Sequence, residues 1–392
     1  MALKELPQRQ KIPTHLPRHE STTPREERSY KLKHAFEKLA EYPPGGDIIY
    51  TRPAFYAAAS LPQLIQIALD CQDERRDVSP VAYPYLAQLF AMHALNYAMI
   101  FDEGRPDYVR ENDLRTVSAW QKFYSQALVK HDELLRHLTV TRDIQTTRPN
   151  RGVTLPFILN RVFPGKPLVI DDLGCSTLSM WKHLRRGGKF KVNKDKTFST
   201  IIGPKVFENN PSQTVNIEHV TGIDLVNPLA DPALFDWLLA NGHFDEVTPE
   251  KIEIKKQELL SDQNGFNNIV FQQGDIYSPE AIPHGVDVTT VFGVLSQKPS
   301  AVANLGLDIA RGLLNESGLL VFQDYARHDG DKFVFPDDRE FYLYGTWVTG
   351  PALGPDYENE FLHIASARVT NYQDIRGGKD LDLFISLTQT QR

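Results

Sequence analysis

Cysteine is nearly absent from this chain: its 392 residues include only Cys71 and Cys175. Two cysteines this far apart exclude a disulfide-built scaffold and a zinc site made of cysteine pairs, and they fit a reducing compartment. The twelve histidines are scattered, and neither an HExxH motif nor a glycine-rich lysine loop occurs. The sequence therefore predicts no bound metal and no P-loop nucleotide site.

Long apolar runs are also missing. No stretch of 18 apolar residues occurs, so we expect no membrane span and no membrane partner. The first residues lack the hydrophobic core of a secretory signal, and Pro7, Pro13 and Pro17 would break an amphipathic helix there. We expect residues 1–27 to be a basic, partly disordered arm and the protein to be cytoplasmic.

The net charge of −7 hides an uneven distribution. Residues 1–33 carry a net charge of +4, and residues 182–205 carry +7. The rest of the chain, with 27 basic and 45 acidic residues, is an acidic body. The second basic segment is either a solvated loop or a clamp for an anionic substrate, so the mean charge does not exclude nucleic acid.

Residues 28–150 are predicted to form a helical N-terminal domain or lid. Apolar residues recur at helical spacing over 86–100 and again over 114–138. The second of these helices carries three aromatic residues, which we interpret as a packed stripe rather than a substrate platform: Trp120, Phe123 and Tyr124.

From residue 151 to the end, short apolar runs alternate with helical patterns. Strands are predicted at 168–174, 219–224, 269–275, 286–295 and 318–325, with helices at 176–186, 232–241, 249–262 and 300–314. This alternation predicts an α/β domain over 151–392, with a mostly parallel, Rossmann-like sheet covered by helices on both faces. Alternating apolar residues over 381–387 predict a final antiparallel strand. The basic stretch is then an insertion at about 182–216.

Acids and glycines collect at the ends of the predicted strands. In chain order these ends are Asp172-Leu-Gly174, Gly222-Ile-Asp224, Gly274-Asp275, Phe292 to Ser296, and Asp324. Ligands of open α/β sheets bind outside the carboxyl ends of the strands. A glycine directly after the first strand lets the backbone approach such a ligand.

Each acid suits a different part of one ligand. Asp224 can accept hydrogen bonds from both hydroxyls of a ribose, Asp275 can accept from an adenine amine, and Asp172 can meet an ammonium group. Diol, amine and ammonium together describe S-adenosylmethionine better than a dinucleotide, which would need GxGxxG for its pyrophosphate. The alternative role for each acid is to cap the following helix.

The segment 168–325 resembles the class I S-adenosylmethionine-dependent methyltransferases. IDDLGCS at 170–176, GID at 222–224 and QGDI at 273–276 stand where that family has its first three motifs. The resemblance implies a seven-stranded methyltransferase sheet with an antiparallel last strand and S-adenosylmethionine as cofactor. It implies cofactor contacts at Asp172, Gly174, Ser176, Gly222, Asp224, Asp275, Ile276 and Phe292.

A narrower resemblance covers residues 286–346, which are similar to the tRNA 3-methylcytidine methyltransferases. The matching residues are Phe292, Val294, Leu295, Ser296, Pro299, Phe322, Asp324, Tyr325, Asp329, Phe341, Tyr342, Gly345 and Thr346. The catalytic candidates by this resemblance are Asp324, Ser296 and Asp329, and the substrate-binding candidates are Tyr325 and Tyr342.

The chain departs from these patterns at defined positions. Ser176 and Leu178 stand where the first motif has its second and third glycines, and non-glycine residues there restrict φ. Gln323 stands where the narrower family has arginine. The distance from Gly174 to Asp224 is 50 residues, and this spacing makes room for the basic insertion.

Two kinds of function follow from these patterns. The first is a methyltransferase acting on an RNA base, which the basic segments favour, or on a small metabolite, which the acidic body and helical front favour. A cationic product such as N3-methylcytidine would favour a nearby carboxylate, Asp324 or Asp329. The alternative is a non-catalytic binding or scaffold protein on a degenerate methyltransferase fold. The sequence does not indicate an oligomeric state.

Overall fold

The computed structural model of the chain divides into two compact units. One unit contains residues 1–146 and 228–261, and the other contains residues 147–227 and 262–392. The residues that the structure describes are 24–41, 48–74, 91, 94–95, 97–98, 113–141, 154–187, 214–230, 232–240, 253–254, 256–257, 260, 266–278, 280, 282–298, 300–329, 332–334, 344–368, 371–376, 383, 386–387 and 389–390.

Among the described residues, helices alternate with strands only in the second part of the chain. In chain order the helices are α1 Arg25–Glu41, α2 Ile48–Ala59, α3 Pro62–Glu74, α4 Val117–Thr141, α5 Leu155–Val162, α6 Ser179–Arg185, α7 Pro232–Ala240 and α8 Ser300–Gly312. None of the helices that the structure describes is long and apolar enough to cross a membrane.

The first unit is helical, as predicted for the N-terminal region. Helices α1 to α4 and α7 belong to it, and α4 kinks at His131, where φ is −129° and ψ is 23°. The aromatic stripe of α4 is buried, with the ring centroids of Trp120 and Tyr124 5.2 Å apart, so the packed-stripe interpretation is confirmed. Helix α1 begins at Arg25, within the predicted arm, and residues 1–23 lie outside the described residues.

The second unit carries the strands. They are β1 Leu168–Leu173, β2 Ile217–Asp224, β3 Ile269–Gln273, β4 Val286–Phe292, β5 Leu314–Tyr325, β6 Arg327–Asp329, β7 Lys332–Val334, β8 Tyr344–Thr349, β9 Leu362–Arg368 and β10 Asn371–Arg376. Among the described residues, eight of them form one sheet in the order β10-β9-β8-β5-β4-β1-β2-β3, and β6 pairs with β7 as a hairpin.

The main sheet is mixed. Strands β1 to β5 pair in parallel, with β1 between β2 and β4. Strands β8, β9 and β10 follow as an antiparallel series beside β5. The Rossmann-like fold with antiparallel last strands is therefore confirmed. In the described part the sheet has one strand more than the expected seven, because three antiparallel strands extend it.

The predicted final strand over 381–387 is wrong. The described residues there, Leu383, Ser386 and Leu387, are helical, and the last strand among the described residues is β10. The alternation of apolar residues at 381, 383, 385 and 387 resembled a half-buried strand. Short apolar patterns of this length do not distinguish the two structures, because packing decides between them.

Both faces of the parallel strands are covered by helices. Alternate residues along each strand belong to two apolar cores, so Ile170 packs with α5 and α6 while Leu173 packs with α8. This alternation follows from the period of two along a strand. The carboxyl ends of β1, β2, β4 and β5 consequently meet at one edge, with helix α6 starting directly after β1.

Candidate functional site

The sequence-predicted acids lie at the carboxyl edge of the sheet. Asp172 is on β1, Asp224 ends β2, Asp275 follows β3, and Asp324 is at the end of β5. All four belong to the second unit. In a parallel sheet this edge is where ligands bind, so the topology brings the predicted cofactor residues together.

The loop between β1 and α6 has an unusual backbone. Gly174, Ser176 and Leu178 have φ values of 74°, 51° and 58°, in the left-handed region. Ser176 and Leu178 are the non-glycine residues with positive φ in the described part of the chain. Three alternate positions of the loop thus share the backbone that glycine adopts most easily, although two of them carry side chains.

Two glycines at this edge are required by close contacts. A Cβ added to Gly174 would lie 2.3 Å from Cγ2 of Val294, and one added to Gly222 would lie 2.3 Å from Cδ2 of Leu178 and 2.7 Å from Sγ of Cys175. No Cβ is tolerated at such distances, so the loop and the strand ends are packed tightly against each other.

Asp224 joins the end of β2 to this loop. Its Oδ2 accepts a hydrogen bond from the Ser176 N–H at 2.9 Å, and its Oδ1 accepts one from the Leu225 N–H at 2.8 Å. The residue is half-buried. Each carboxylate oxygen has a second lone pair, so the group can also accept from two hydroxyls of a ligand. These properties fit the predicted ribose contact.

Asp172 anchors helix α6. Its Oδ2 accepts from Nε1 of Trp181 at 2.9 Å and its Oδ1 accepts from Oγ1 of Thr290 at 2.7 Å. The carboxylate is buried, and each of its oxygens accepts from a donor of the protein. The predicted contact of Asp172 with an ammonium group stays a prediction. In the structure, Asp172 also holds Trp181 and Thr290 by hydrogen bonds.

Asp275 shapes a turn after β3. Its Oδ1 accepts from the Tyr277 N–H at 2.9 Å, and its carbonyl oxygen accepts from the Ser278 N–H at 2.9 Å. Burial raises the pKa of the Tyr277 phenol, and the charges of Asp275 and Asp324 raise it further, so this phenol is neutral. Ile276, predicted to contact the cofactor, is buried beside this turn.

The predicted catalytic residues differ in their surroundings. Asp324 has no exposed surface, and its Oδ2 accepts from the backbone N–H groups of Leu295 and Ser296 at 2.9 and 3.0 Å. Its Oδ1 accepts from the Tyr325 N–H at 2.8 Å. Asp329 is exposed on the β6–β7 hairpin. The structure therefore separates the two carboxylates by environment, one in the interior and one in solvent.

The remaining predicted residues lie near or outside this edge. Phe292 and Ser296 are buried at the end of β4 and in the turn after it, and Tyr325 is half-buried at the end of β5. Tyr342, predicted to bind substrate, lies outside the described residues, as does most of the basic insertion, over 188–213. Their roles stay predictions.

The surroundings of Cys175 disfavour its thiolate form. Burial raises the pKa of its thiol, and the nearby charges of Asp224 and Asp172 raise it further. The thiol is therefore neutral at physiological pH. No group of three metal-binding side chains occurs in the part of the chain that the structure describes.

Sequence reasoning missed Trp181, and it named Val294 and Gln323 without the contacts by which they shape this edge. Trp181 binds Asp172, Val294 packs on Gly174, and the Gln323 amide donates to Oγ1 of Thr346 at 2.9 Å. Val294 and Trp181 contact residues of other strands or loops, and no local sequence pattern indicates such contacts. The glycine at 174 was a usable signal, because glycine permits both a left-handed backbone and the close approach of a neighbour.

Comparison with known proteins finds similar solved structures but no matching family. No family model and no curated protein matches the chain. Among solved structures, the chain is similar to CalS10, an amino pentose methyltransferase from Micromonospora echinaspora, at 13% identity over 51% of this chain and 58% of that one, with a TM-score of 0.26. It is similar to magnesium protoporphyrin IX methyltransferase from Synechocystis PCC 6803 at 14% identity over 48% and 64% of the two chains, with a TM-score of 0.25.

A third similar structure is a possible exported protein from Bordetella parapertussis, at 12% identity over 78% of this chain and 73% of that one, with a TM-score of 0.31. The chain spans about three fifths of the length of the two methyltransferases. At these identities and TM-scores the likenesses carry no argument about activity or substrate. The fold is established by the topology of the chain's own sheet.

Proposed function

We propose that this protein is an S-adenosylmethionine-dependent methyltransferase. The observation that carries the proposal is the backbone of the loop after β1, where Gly174, Ser176 and Leu178 are all left-handed. These are the positions where the class I methyltransferase motif has glycines. At two of these positions the chain has a non-glycine residue in the backbone conformation that glycine adopts most easily.

Keeping this conformation is costly, which is why it supports a function. A left-handed conformation costs an L-residue roughly 1–2 kcal/mol, and such strain collects at ligand-binding sites. Ser176 also directs its N–H to Asp224, so the strained loop and the candidate ribose ligand form one unit.

We assign the cofactor contacts residue by residue. Asp224 receives the ribose hydroxyls, because its carboxylate is half-buried at the carboxyl end of β2, and Asp275 receives the adenine amine. Ile276 and Phe292 supply apolar contact for the base. S-adenosylmethionine, when bound, supplies a methyl group carried by a sulfonium. The protein's part is to align the acceptor and exclude water.

The acceptor is the second half of the proposal. An RNA base is supported by the basic segment 182–205, and a small metabolite is supported by the acidity of the rest of the chain. Titrating a tRNA at increasing salt separates the two. Binding of RNA through phosphates weakens steeply with salt, whereas no measurable binding at low salt would leave the metabolite.

A non-catalytic binding protein is the second candidate. It is favoured by Leu178, whose side chain fills the space over Gly222 that a third glycine would leave open. Such a protein would bind S-adenosylmethionine, or S-adenosylhomocysteine, without consuming it. Transfer of a labelled methyl group from the cofactor to molecules of a cell extract by the wild-type protein, above the level with extract alone and with Asp224→Ala, would exclude this candidate.

Calorimetry tests the proposed cofactor site. We expect S-adenosylhomocysteine to bind the wild-type protein, and Asp224→Ala to weaken binding at least about tenfold, because two hydrogen bonds to a charged acceptor are lost. The exposed Asp308 on α8 offers a control, since Asp308→Ala should bind normally. No heat with the wild type at millimolar ligand would end the proposal. Equal affinities of wild type and Asp224→Ala would remove Asp224 from the site.

A further inference from the structure

The turn after β4 is held in place from β5. The Gly293 N–H donates to the carbonyl oxygen of Gln323 at 2.8 Å, and the N–H groups of Leu295 and Ser296 donate to Oδ2 of Asp324. These three hydrogen bonds cover nearly every residue of the turn. Asp324 has no exposed surface, and the Tyr325 N–H donates to its Oδ1, so both carboxylate oxygens accept from the protein's own backbone.

The same turn touches the loop after β1. Val294 lies between the anchored residues, and a Cβ on Gly174 would come within 2.3 Å of Cγ2 of Val294 and within 3.3 Å of its Cβ. Gly174 has a φ of 74°. The position of Val294 therefore limits where the loop can begin, and the loop in turn carries the N–H that binds Asp224.

We propose that Asp324 is a positioning residue for the cofactor loop. Its carboxylate fixes the turn 293–296, the turn seats Val294 on Gly174, and Gly174 sets the start of the loop that reaches Asp224. A buried acid on β5 thus governs a ligand site built on β1 and β2. The inference rests on the proposed cofactor site and extends it to a residue that does not touch the cofactor.

A matched pair of variants tests the inference. Asp324→Asn keeps the size of the side chain and removes one of its two acceptor atoms. Asp287, near the amino end of β4, is a buried carboxylate that also accepts three hydrogen bonds, from Lys166, the Val169 N–H and Asn315. Asp287→Asn therefore controls for the general loss of stability on breaking a buried carboxylate network.

The readout is affinity for S-adenosylhomocysteine by calorimetry, beside thermal stability. We expect Asp324→Asn to weaken binding about tenfold or more and Asp287→Asn to leave it within about twofold, although both lower the melting temperature. If the wild type binds no ligand, the proposed function fails and the variants are not compared. If the wild type binds and the two variants bind alike, the positioning role of Asp324 is overturned.

A second variant keeps the inference testable if Asp324→Asn does not fold. Val294→Ala removes the contact on Gly174 and leaves the carboxylate and its donors intact. We expect weaker binding of S-adenosylhomocysteine together with unchanged amide hydrogen exchange at Leu295 and Ser296. Wild-type affinity in Val294→Ala would show that the turn does not govern the loop, and would overturn the inference.

Discussion

Asp171 is a buried carboxyl group whose removal should stabilise the protein at neutral pH. It lies in the middle of β1 beside Thr221 of β2 and Thr289 of β4, and it has no exposed surface. Neither of its oxygens has a hydrogen-bond partner among the described residues. The Thr289 hydroxyl also has no partner there. Burial raises the pKa of Asp171 to about 7, and the charge of Asp172 contributes.

The size of the effect follows from this pKa. The unfolded chain releases the proton near the ordinary aspartate pKa of 3.8, and the folded protein holds it until about pH 7. The folded state therefore binds more protons between these values, so the stability contributed by Asp171 falls as pH rises through that window. At 1.36 kcal/mol per pKa unit, the loss reaches about 4 kcal/mol above pH 7.

Asp171→Asn removes this dependence because the amide has no charge to bury. Urea unfolding at pH 4.5 and at pH 8 should show the stability of the variant relative to wild type rising by about 3 kcal/mol between the two values. Glu316→Gln changes an exposed carboxylate on β5 and should show no such rise. A difference between Asp171→Asn and wild type that does not change with pH would refute the reasoning.

Three further substitutions test the loop and its anchor. Ser176→Gly should raise the free energy of unfolding by about 1 kcal/mol, because a strained left-handed residue becomes glycine, whereas Leu178→Gly should lower it by several kcal/mol, because the packing on Gly222 is lost. Chemical denaturation measures both, and changes of the same sign would contradict the assignment of strain. Trp181→Phe should cost about 1–3 kcal/mol, because a buried oxygen of Asp172 loses its donor. Wild-type stability in this variant would show that the hydrogen bond contributes nothing.

The sequence predicted the parallel part of the sheet well because local patterns determine it. Buried apolar runs ending in Asp or Gly mark β1, β2 and the turn after β3, and their order places them at one edge. The prediction of a final strand over 381–387 failed because the local sequence does not show whether a partner strand is present. The described residues there are helical. Packing between distant segments decides such cases.

The sequence predicted which residues lie at the candidate site better than it predicted what each of them does there. Asp172, Asp224 and Asp324 all lie at the carboxyl edge, as expected, but each is also held by donors of the protein. These donors include the Trp181 indole, nine residues from Asp172, and the N–H groups of Ser176 and Leu295, 48 and 29 residues from the acids that they bind. Their positions depend on the turn geometry, so composition and spacing did not reveal them. The left-handed backbone at Ser176 was likewise visible only in the structure.

A crystal structure grown with S-adenosylhomocysteine would test the central claim most directly. We predict the ribose hydroxyls within hydrogen-bond distance of the Asp224 carboxylate, and a loop from Gly174 to Leu178 that keeps its left-handed residues. Ligand bound away from the carboxyl ends of β1 and β2, or a protein that stays ligand-free at millimolar concentration, would contradict the account.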